Sequence, residues 1–312
     1  MSRIVYVNGD YLPEEEAKIS VFDRGFLFAD GVYEVSSVLA GKLIDNAAHM
    51  ARLERSLGEL KMAPPLPLEE IPPIQREIVE RNALDQGTVY LQVTRGAADR
   101  DFPFPKGATS SLVLFSQERN LLEDPAAASG ISVITLPDIR WQRRDIKAIQ
   151  LLAPALAKQA ALDAGANDAW LVEDGHVTEG SSNNAYIVTL DGTIVTRALS
   201  NSILHGITRR AILALAERDG LKVEERSFTP EEAYEAAEAF ITSASTFVYP
   251  VIKIDDRILG NGAPGPLAGV GGCGGRPVRI LTVSLTEYPT LPENDQPNRP
   301  DADASENSRR PL

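Results

Sequence analysis

The chain has 312 residues, and its 31 Lys and Arg against 44 Asp and Glu give a formal net charge of −13. This charge has the wrong sign for binding nucleic acid through bulk positive charge. The sequence has no run of about 18 apolar residues and no signal-peptide core, so we expect a cytoplasmic protein without membrane or nucleic-acid partners. The lone Cys273 cannot form an intrachain disulfide, and three scattered histidines lack metal-ligand spacing, so we expect no metal site.

The first part of the chain alternates strand and helix patterns. Strands are predicted at residues 3–7, 33–39, 89–95 and 111–116, and helices at 45–60 and 68–82. The segment 118–130 is charged, then small and Pro-containing, which is typical of an interdomain linker. The pattern therefore predicts a small N-terminal α+β domain over residues 1–117.

The second part mixes hairpins with helices and lacks the regular alternation of a doubly wound parallel sheet. Helices are predicted at about 151–164, 207–218 and 230–237, and strands at 131–136, 222–226, 239–242 and 248–254, with hairpin turns at 174–175 and 191–192. We expect a larger domain over residues 131–267. The tail, 268–312, is Gly-rich and then Pro-rich, with one apolar segment at 278–285, and its last two dozen residues are too polar to order.

Three polar motifs in this second part combine into one chemical pattern. A single lysine such as Lys147 is by itself most simply a solvated surface group, but Thr178-Glu179-Gly180-Ser181-Ser182 follows a hairpin and Gly206-Ile207-Thr208 opens a helix. Together they supply an amine for a Schiff base, a carboxylate for a ring nitrogen and backbone N–H groups for a phosphate. These are the needs of pyridoxal 5′-phosphate. Arg52 is a candidate to complete the phosphate site.

The order of these motifs resembles the fold-type IV, class IV aminotransferases, and within them most the D-amino-acid (D-alanine) transaminases. The similarity runs from about residue 3 to residue 266 and is carried by Tyr33-Glu34-Val35, Arg52, Val93-Thr94-Arg95-Gly96, Asp138-Ile139-Arg140-Trp141 with Lys147, 178–182 and 206–209. The resemblance implies a two-domain α/β fold of mixed α+β character. It also implies transfer of the amino group of D-amino acids, of the D-alanine or D-glutamate type, to 2-oxoglutarate or pyruvate by a ping-pong mechanism.

The resemblance also implies a role for each matching residue. Lys147 is expected to form the Schiff base with the cofactor and to move the proton of the substrate α-carbon. Glu179 is expected to pair with the pyridine nitrogen, with Arg140 as its support. The remaining cofactor contacts implied are Arg52, Ile207, Thr208 and Ser243 at the phosphate, Leu204 behind the ring, and Ser182 beside cofactor or substrate.

Recognition of the substrate carboxylate is less completely matched. Tyr33 and Arg100 match the D-specific members, and Tyr90 is a candidate for the same pocket, but Phe102 stands where those members have a histidine. Phenylalanine offers no hydrogen bond, so one arm of the carboxylate site is missing. In the family this loop reaches into the neighbouring subunit's site, which implies a homodimer.

Several alternatives share the cofactor: a branched-chain L-amino-acid transaminase, an aminodeoxychorismate-type lyase and, because of Phe102, an (R)-selective amine transaminase. Gly269-x-Gly271-x-x-Gly274 matches a dinucleotide fingerprint, but no strand precedes it and Pro277 follows, which argues against a nicotinamide enzyme. The tail also departs from the charged C-terminal helix of relatives. A reading-frame change is one hypothesis for that ending, with impaired dimerisation as its consequence.

Overall fold

A computed structural model describes residues 2–268 of the chain. The predicted disorder of the tail, the apolar segment 278–285 and the glycine motif 269–274 lie outside the described residues. Within 2–268, no helix has the length and apolar content needed to cross a membrane, and no three His, Cys, Asp or Glu side chains are grouped to hold a metal ion.

The N-terminal part forms a six-stranded antiparallel sheet flanked by helices. Its strands lie in the order β2-β1-β6-β5-β3-β4. The strands are β1 (Ile4–Val7), β2 (Asp10–Pro13), β3 (Gly31–Leu39), β4 (Lys42–Leu43), β5 (Gln86–Thr94) and β6 (Ser111–Glu118). The helices are α1 (Arg24–Phe28), α2 (Asn46–Glu59) and α3 (Ile71–Arg81), with a 3-10 turn at Leu68–Glu70 before α3.

The core of this part lies between the sheet and the two longer helices. Leu53 and Leu57 of α2 and Ile78 of α3 are almost fully buried, together with Leu91 at the centre of β5. Their spacing of four residues on α2 is the helical period read from the sequence. Each such side chain contributes roughly 1.5–3 kcal/mol by leaving water. This packing fixes α2, and with it Arg52, against β3.

The C-terminal part forms a nine-stranded mixed sheet. Its order is β12-β11-β10-β13-β14-β7-β8-β9, with β15 paired to β14, and the pairs β14/β7, β7/β8 and β11/β12 are parallel. The strands are β7 (Ile131–Pro137), β8 (Asp168–Glu173), β9 (His176–Gly180), β10 (Asn184–Val188), β11 (Ile194–Thr196), β12 (Val223–Glu225), β13 (Glu238–Ser243), β14 (Phe247–Ile254) and β15 (Arg257–Ile258). The helices are α4 (Pro125–Ser129), α5 (Leu152–Asp163), α6 (Ile207–Arg218) and α7 (Pro230–Tyr234).

Differences from the predicted elements are confined to short segments. The helix expected at 68–82 begins as a 3-10 turn, and the helix expected to reach residue 237 ends at Tyr234. The predicted linker contains the short helix α4, because Asp124 accepts a hydrogen bond from the Ala126 amide ahead of Pro125 at the first helical position. Helix α1 is not predicted, because five residues show no periodicity. The domain boundaries at 118–130 stay a prediction.

The two sheets meet through backbone and side-chain hydrogen bonds. The Tyr33 amide of β3 donates to the Lys147 carbonyl at 2.9 Å, and the Ile149 amide donates to the Gly31 carbonyl at 3.1 Å. The Ser37 hydroxyl also donates to the Ala244 carbonyl. These contacts place the start of β3 directly against the segment that follows β7.

Candidate active site

A cavity of about 200 Å³ lies where the two sheets meet. Every residue predicted to bind the cofactor lines it, as does one of the three predicted substrate residues. The predicted residues that line it are Tyr33, Arg52, Arg140, Lys147, Glu179, Ser182, Leu204, Ile207, Thr208 and Ser243. Residues separated by up to 210 positions in sequence therefore meet at one cavity.

Lys147 is held at the cavity by the backbone around it. Its carbonyl accepts from the Tyr33 amide, and Ala148 forms an isolated β-bridge with Val32. The Lys147 Nζ lies 4.2 Å from the centroid of the Tyr33 ring, which is within the range of a cation–π contact. A β-carbon at Gly31 would lie 2.7 Å from the Val93 carbonyl oxygen, so this close approach requires glycine. The chain thus presents one amine to the cavity from an anchored segment.

Glu179 is buried at the end of β9, and both of its carboxylate oxygens have partners. Oε1 accepts from Arg140 at 2.5 Å, whereas Oε2 accepts from the Asn184 side-chain amide at 3.0 Å and from the Leu204 backbone amide at 3.1 Å. Burial raises the pKa of Glu179, and the nearby guanidinium of Arg140 offsets that rise only in part. The arrangement therefore holds a carboxylate of increased proton affinity, suited to accept an N–H from a cationic ring.

Arg140 is shared between Glu179 and a second carboxylate. Its Nε and one terminal nitrogen donate to Asp138 at 3.0 and 2.7 Å, which leaves the other terminal nitrogen for Glu179. The Thr178 hydroxyl also donates to Asp138 at 2.7 Å. Burial alone would raise the pKa of Asp138, but the hydrogen bonds and charge of Arg140, with Thr178, lower it. The pKa values of the two carboxylates that share Arg140 are thus shifted in opposite directions.

The first turn of α6 forms another part of the cavity wall. Gly206 is the N-cap and supplies no side-chain cap, so the amides of Ile207 and Thr208 are available where they face the cavity. The N-terminus of a 12-residue helix also carries partial positive charge. A β-carbon at Gly206 would overlap the side-chain oxygen of Asn184. Glycine here lets the helix end approach the residue that holds Glu179.

Hydroxyl groups and a guanidinium line the cavity together with the first turn of α6. Ser243 lies at the end of β13 with its hydroxyl 2.8 Å from that of Thr246. Arg52 donates to the His205 carbonyl at 3.0 Å, just before α6 begins. Backbone N–H groups, hydroxyls and an arginine form the donor set that binds a phosphate ester.

Arg52 binds the buried Glu34, which also contacts the buried His49, and the sequence motifs did not indicate these contacts. Glu34 accepts from the Nε and a terminal nitrogen of Arg52 at 2.8 and 2.7 Å, and lies 2.7 Å from His49 Nδ1. Burial would raise the pKa of Glu34, but the charge and hydrogen bonds of Arg52, with His49, lower it to about 2. Burial also lowers the pKa of His49. An acidic residue inside an apolar strand is a signal for such a partner, because buried charges are paired.

Two other residues absent from the predicted site are Asn184 and Arg144, and both line the cavity. Asn184 joins Glu179 to the Leu204 carbonyl, and Arg144 binds Glu173. Nothing in the local sequence distinguishes these side chains from ordinary polar surface residues. Asn184 is fixed by donating to Glu179 and to the Leu204 carbonyl before α6, and the Arg144 amide donates to the Asn201 carbonyl at 2.9 Å.

Two predicted substrate residues do not line this cavity. Tyr90 stacks on the outer side of Tyr33 with ring centroids 5.5 Å apart, because the two residues sit on neighbouring strands. Arg100 lies in the loop after β5, with its guanidinium 5.5 Å from the Phe28 ring. In the same loop Phe102 is 76% exposed. Whether Arg100 completes a neighbouring copy's site stays a prediction.

Comparisons with known proteins agree with this geometry. The family model for amino-transferase class IV matches residues 31–254. The D-alanine aminotransferase of Bacillus licheniformis is 39% identical over 263 residues, which cover 84% of this chain and 92% of that protein. That of Staphylococcus haemolyticus is 37% identical over 264 residues, covering 84% and 93%.

Solved structures show the same architecture. A branched-chain amino acid aminotransferase solved with pyridoxamine 5′-phosphate superposes with a TM-score of 0.82 at 27% identity, covering 94% of this chain and 96% of that chain. The 4-amino-4-deoxychorismate lyase of Pseudomonas aeruginosa gives a TM-score of 0.72 at 26% identity, covering 85% and 95%.

Proposed function

Because the chain belongs to the class IV aminotransferases, we propose that it transfers the amino group of D-amino acids, of the D-alanine or D-glutamate type, to a 2-oxo acid such as 2-oxoglutarate or pyruvate. The observation that carries this proposal is the identity of 37–39% to D-alanine aminotransferases over more than nine-tenths of their length. Several solved branched-chain enzymes of the same fold are 22–27% identical to this chain. Branched-chain L-amino acids are therefore the second candidate substrates.

The cavity fits pyridoxal 5′-phosphate, because both a donor set for a phosphate and a carboxylate for a ring nitrogen line it. Arg52, Ser243 and the amides of Ile207 and Thr208 would hold the phosphate, and Leu204 would support the ring with Ser182 beside it. When bound, this cofactor supplies an electron-withdrawing ring that takes up the electron pair of the substrate α-carbon. Lys147 supplies the only lysine amine that lines the cavity in residues 2–268, so we assign it the Schiff-base role.

Two side chains control protons in this proposal. Glu179, as an anion, holds a proton at the ring nitrogen, because its two oxygens are fixed by Arg140, Asn184 and the Leu204 amide. Lys147 Nζ moves the proton at the substrate α-carbon and requires its lone pair to do so. Tyr33 lies against that amine and limits the directions in which it can turn.

Absorbance spectra test the reaction and its handedness. We expect the purified protein with cofactor to show a visible band that D-alanine converts, whereas L-leucine does not. Lys147→Ala should lose the band and reduce turnover by more than about 100-fold, whereas Lys253→Ala, an exposed lysine on β14, should retain both. Conversion by L-leucine alone would move the function to branched-chain substrates, and conversion by (R)-1-phenylethylamine would favour an amine transaminase. Turnover by Lys147→Ala at the wild-type rate would refute the assignment.

We further propose that the enzyme works as a homodimer in which Arg100 completes the substrate site of the other copy, together with Tyr33 and Tyr90. The support for this is that the Arg100 loop projects Phe102 into solvent and does not line its own cavity. Mixed subunits test it: Lys147→Ala and Arg100→Ala proteins, each inactive, should recover about a quarter of wild-type activity after random exchange, because each mixed dimer regains one intact site. No recovery despite dimer exchange would contradict the shared site.

We also propose that the enzyme is located in the cytoplasm.

A further inference from the structure

A row of five alternating charges runs from the cavity to the surface of the C-terminal part. Arg144 donates to both oxygens of Glu173, at 2.8 and 2.7 Å. The same guanidinium lies 3.5 Å from Asp138, which in turn binds Arg140. In order from the cavity, the row is Glu179, Arg140, Asp138, Arg144 and Glu173.

Burial separates the inner four members of the row from the last. The Glu179, Asp138 and Arg144 side chains are at most 4% exposed, and that of Arg140 is 11% exposed. Glu173 is 29% exposed and reaches solvent. Charges of the inner four therefore interact with little screening, whereas that of Glu173 is partly screened by water.

The formal charges of the buried side chains indicate a role for Arg144. Without it, the buried group would contain two carboxylates and one guanidinium, and Asp138 already takes two of the nitrogens of Arg140. Glu179 would then be a buried anion without a full counter-charge, which is costly in a low-dielectric site. With Arg144 present, the inner four charges sum to zero.

We propose that Arg144 is a positioning residue for the reaction: it neutralises Asp138, and so leaves the guanidinium of Arg140 able to hold Glu179 as an anion. This inference rests on the proposed function, since it concerns the carboxylate assigned to the ring nitrogen of the cofactor. Arg144 acts through Asp138 and Arg140, and Glu173 fixes its guanidinium in place from the solvent side.

The other groups around Glu179 do not replace this contribution. Besides Arg140, they are the Asn184 side-chain amide and Tyr186 on β10, and the Leu204 backbone amide before α6, with Arg209 acting on Tyr186. The two amides and Tyr186 carry no positive charge. The raised pKa of Glu179 beside the lowered pKa of Asp138 further indicates that Glu179 takes up the proton when positive charge is lost.

The pH dependence of kcat for D-alanine with 2-oxoglutarate, measured on the holoenzyme, tests the proposal. Protonation of Glu179 prevents it from accepting the ring N–H, so activity should fall at acid pH, and this fall should be absent from the residual activity of Glu179→Gln. Arg144→Gln removes a positive charge, so Glu179 keeps its proton to higher pH. The acid limb of the pH profile, which is the range over which kcat falls at low pH, should therefore move to higher pH by about one unit.

Matched variants separate charge from shape. Arg144→Lys keeps the charge and should move the limb by less than about 0.3 unit, and Glu173→Gln should move it the opposite way by a few tenths of a unit, roughly, because water screens that site. Arg226→Gln removes an equal charge from an exposed arginine and should leave the limb in place. Glu173→Gln keeps the test usable if Arg144→Gln fails to fold.

Three results would overturn the inference. They are an unmoved limb in Arg144→Gln, an acid limb that survives in Glu179→Gln, and a rise in KM for D-alanine without a shift, which would place Arg144 in contact with substrate. Each of these is read from an active holoenzyme. A protein without the cofactor band, or without turnover of D-alanine, would instead refute the proposed function.

Discussion

Two buried glutamates, Glu34 and Glu179, are each paired with an arginine that lines the cavity, yet their pKa values are shifted in opposite directions. Glu34 accepts two nitrogens of Arg52 and a contact from His49, and its pKa falls to about 2. Glu179 accepts one nitrogen of Arg140 and two neutral amides, and its pKa rises. Burial opposes ionisation of both, so the difference comes from their partners.

The comparison shows that an ion pair does not by itself define the charge state of a buried group. Arg52 gives its bidentate face to Glu34, whereas Arg140 gives its bidentate face to Asp138 and only a single nitrogen to Glu179. A strongly ionised Glu34 fixes a guanidinium that lines the cavity at the proposed phosphate site. A Glu179 of increased proton affinity suits a proton shared with a ring nitrogen.

The largest expected effect on stability is from Glu34→Gln. Removing this charge leaves Arg52 buried beside a neutral amide, so the free energy of unfolding should fall by about 3–5 kcal/mol. Urea denaturation followed by circular dichroism measures the change. The control is Glu77→Gln, whose pair with Arg81 is exposed on α3 and should cost at most about 0.5 kcal/mol. Equal losses of unfolding free energy in the two variants would show that the buried Glu34–Arg52 pair contributes no more than an exposed pair.

Glu179→Gln should affect catalysis more than stability. A neutral amide cannot hold the proton at the ring nitrogen as an anion does, so kcat should fall by about 100-fold or more while the cofactor band remains. Because Arg140 keeps both contacts to Asp138, the free energy of unfolding should change by less than about 1 kcal/mol. Steady-state rates and urea denaturation of the same preparation check both halves. A kcat within threefold of wild type would argue against the role of Glu179.

A third expected effect is the pH dependence of the free energy of unfolding, measured on protein without cofactor. Glu34 has a lowered pKa, so its contribution is present above pH 4.5 and is lost as pH falls towards about 2, by about 3 kcal/mol in total. Glu179 has a raised pKa, so its effect has the opposite sign: stability decreases as pH rises above the ordinary range of a glutamate.

Two variants separate the contributions of Glu34 and Glu179 to the pH dependence of stability. Urea denaturation between pH 3 and 8, with buffers spaced by about 1 unit, should show that Glu34→Gln lacks the acid-side loss and Glu179→Gln lacks the loss towards neutral pH. The same slope in both variants would contradict the contrast between the two glutamates.

Much of this protein was predictable from local pattern and ordered motifs. The predicted family, the mixed α/β fold class and the cofactor are confirmed by the family match, the D-alanine aminotransferase relatives and the solved structures. Periodicity located α2, α6 and the central strands to within a few residues. Short elements such as α1 and α4 were not predicted, because five residues carry no repeat.

Sequence reasoning was least complete where a residue's role depends on distant partners. Glu34 belongs to the motif Tyr33-Glu34-Val35, but its role could not be assigned from sequence, because only the packing of α2 on β3 brings Arg52 and His49 to it. Tyr90 stays a candidate for the substrate pocket, and the strand pairing stacks its ring on that of Tyr33.

The sequence alone determined the chemical groups of the site: one amine, one carboxylate after a hairpin, and a helix that opens on glycine. It could do so because each motif is local and the order of the motifs is specific to the family. Only the tertiary structure showed that Arg52 neutralises Glu34 and that Arg140 is shared between Glu179 and Asp138. Charge state depends on burial and on distances between residues far apart in the chain, and these distances arise only when the two sheets pack together.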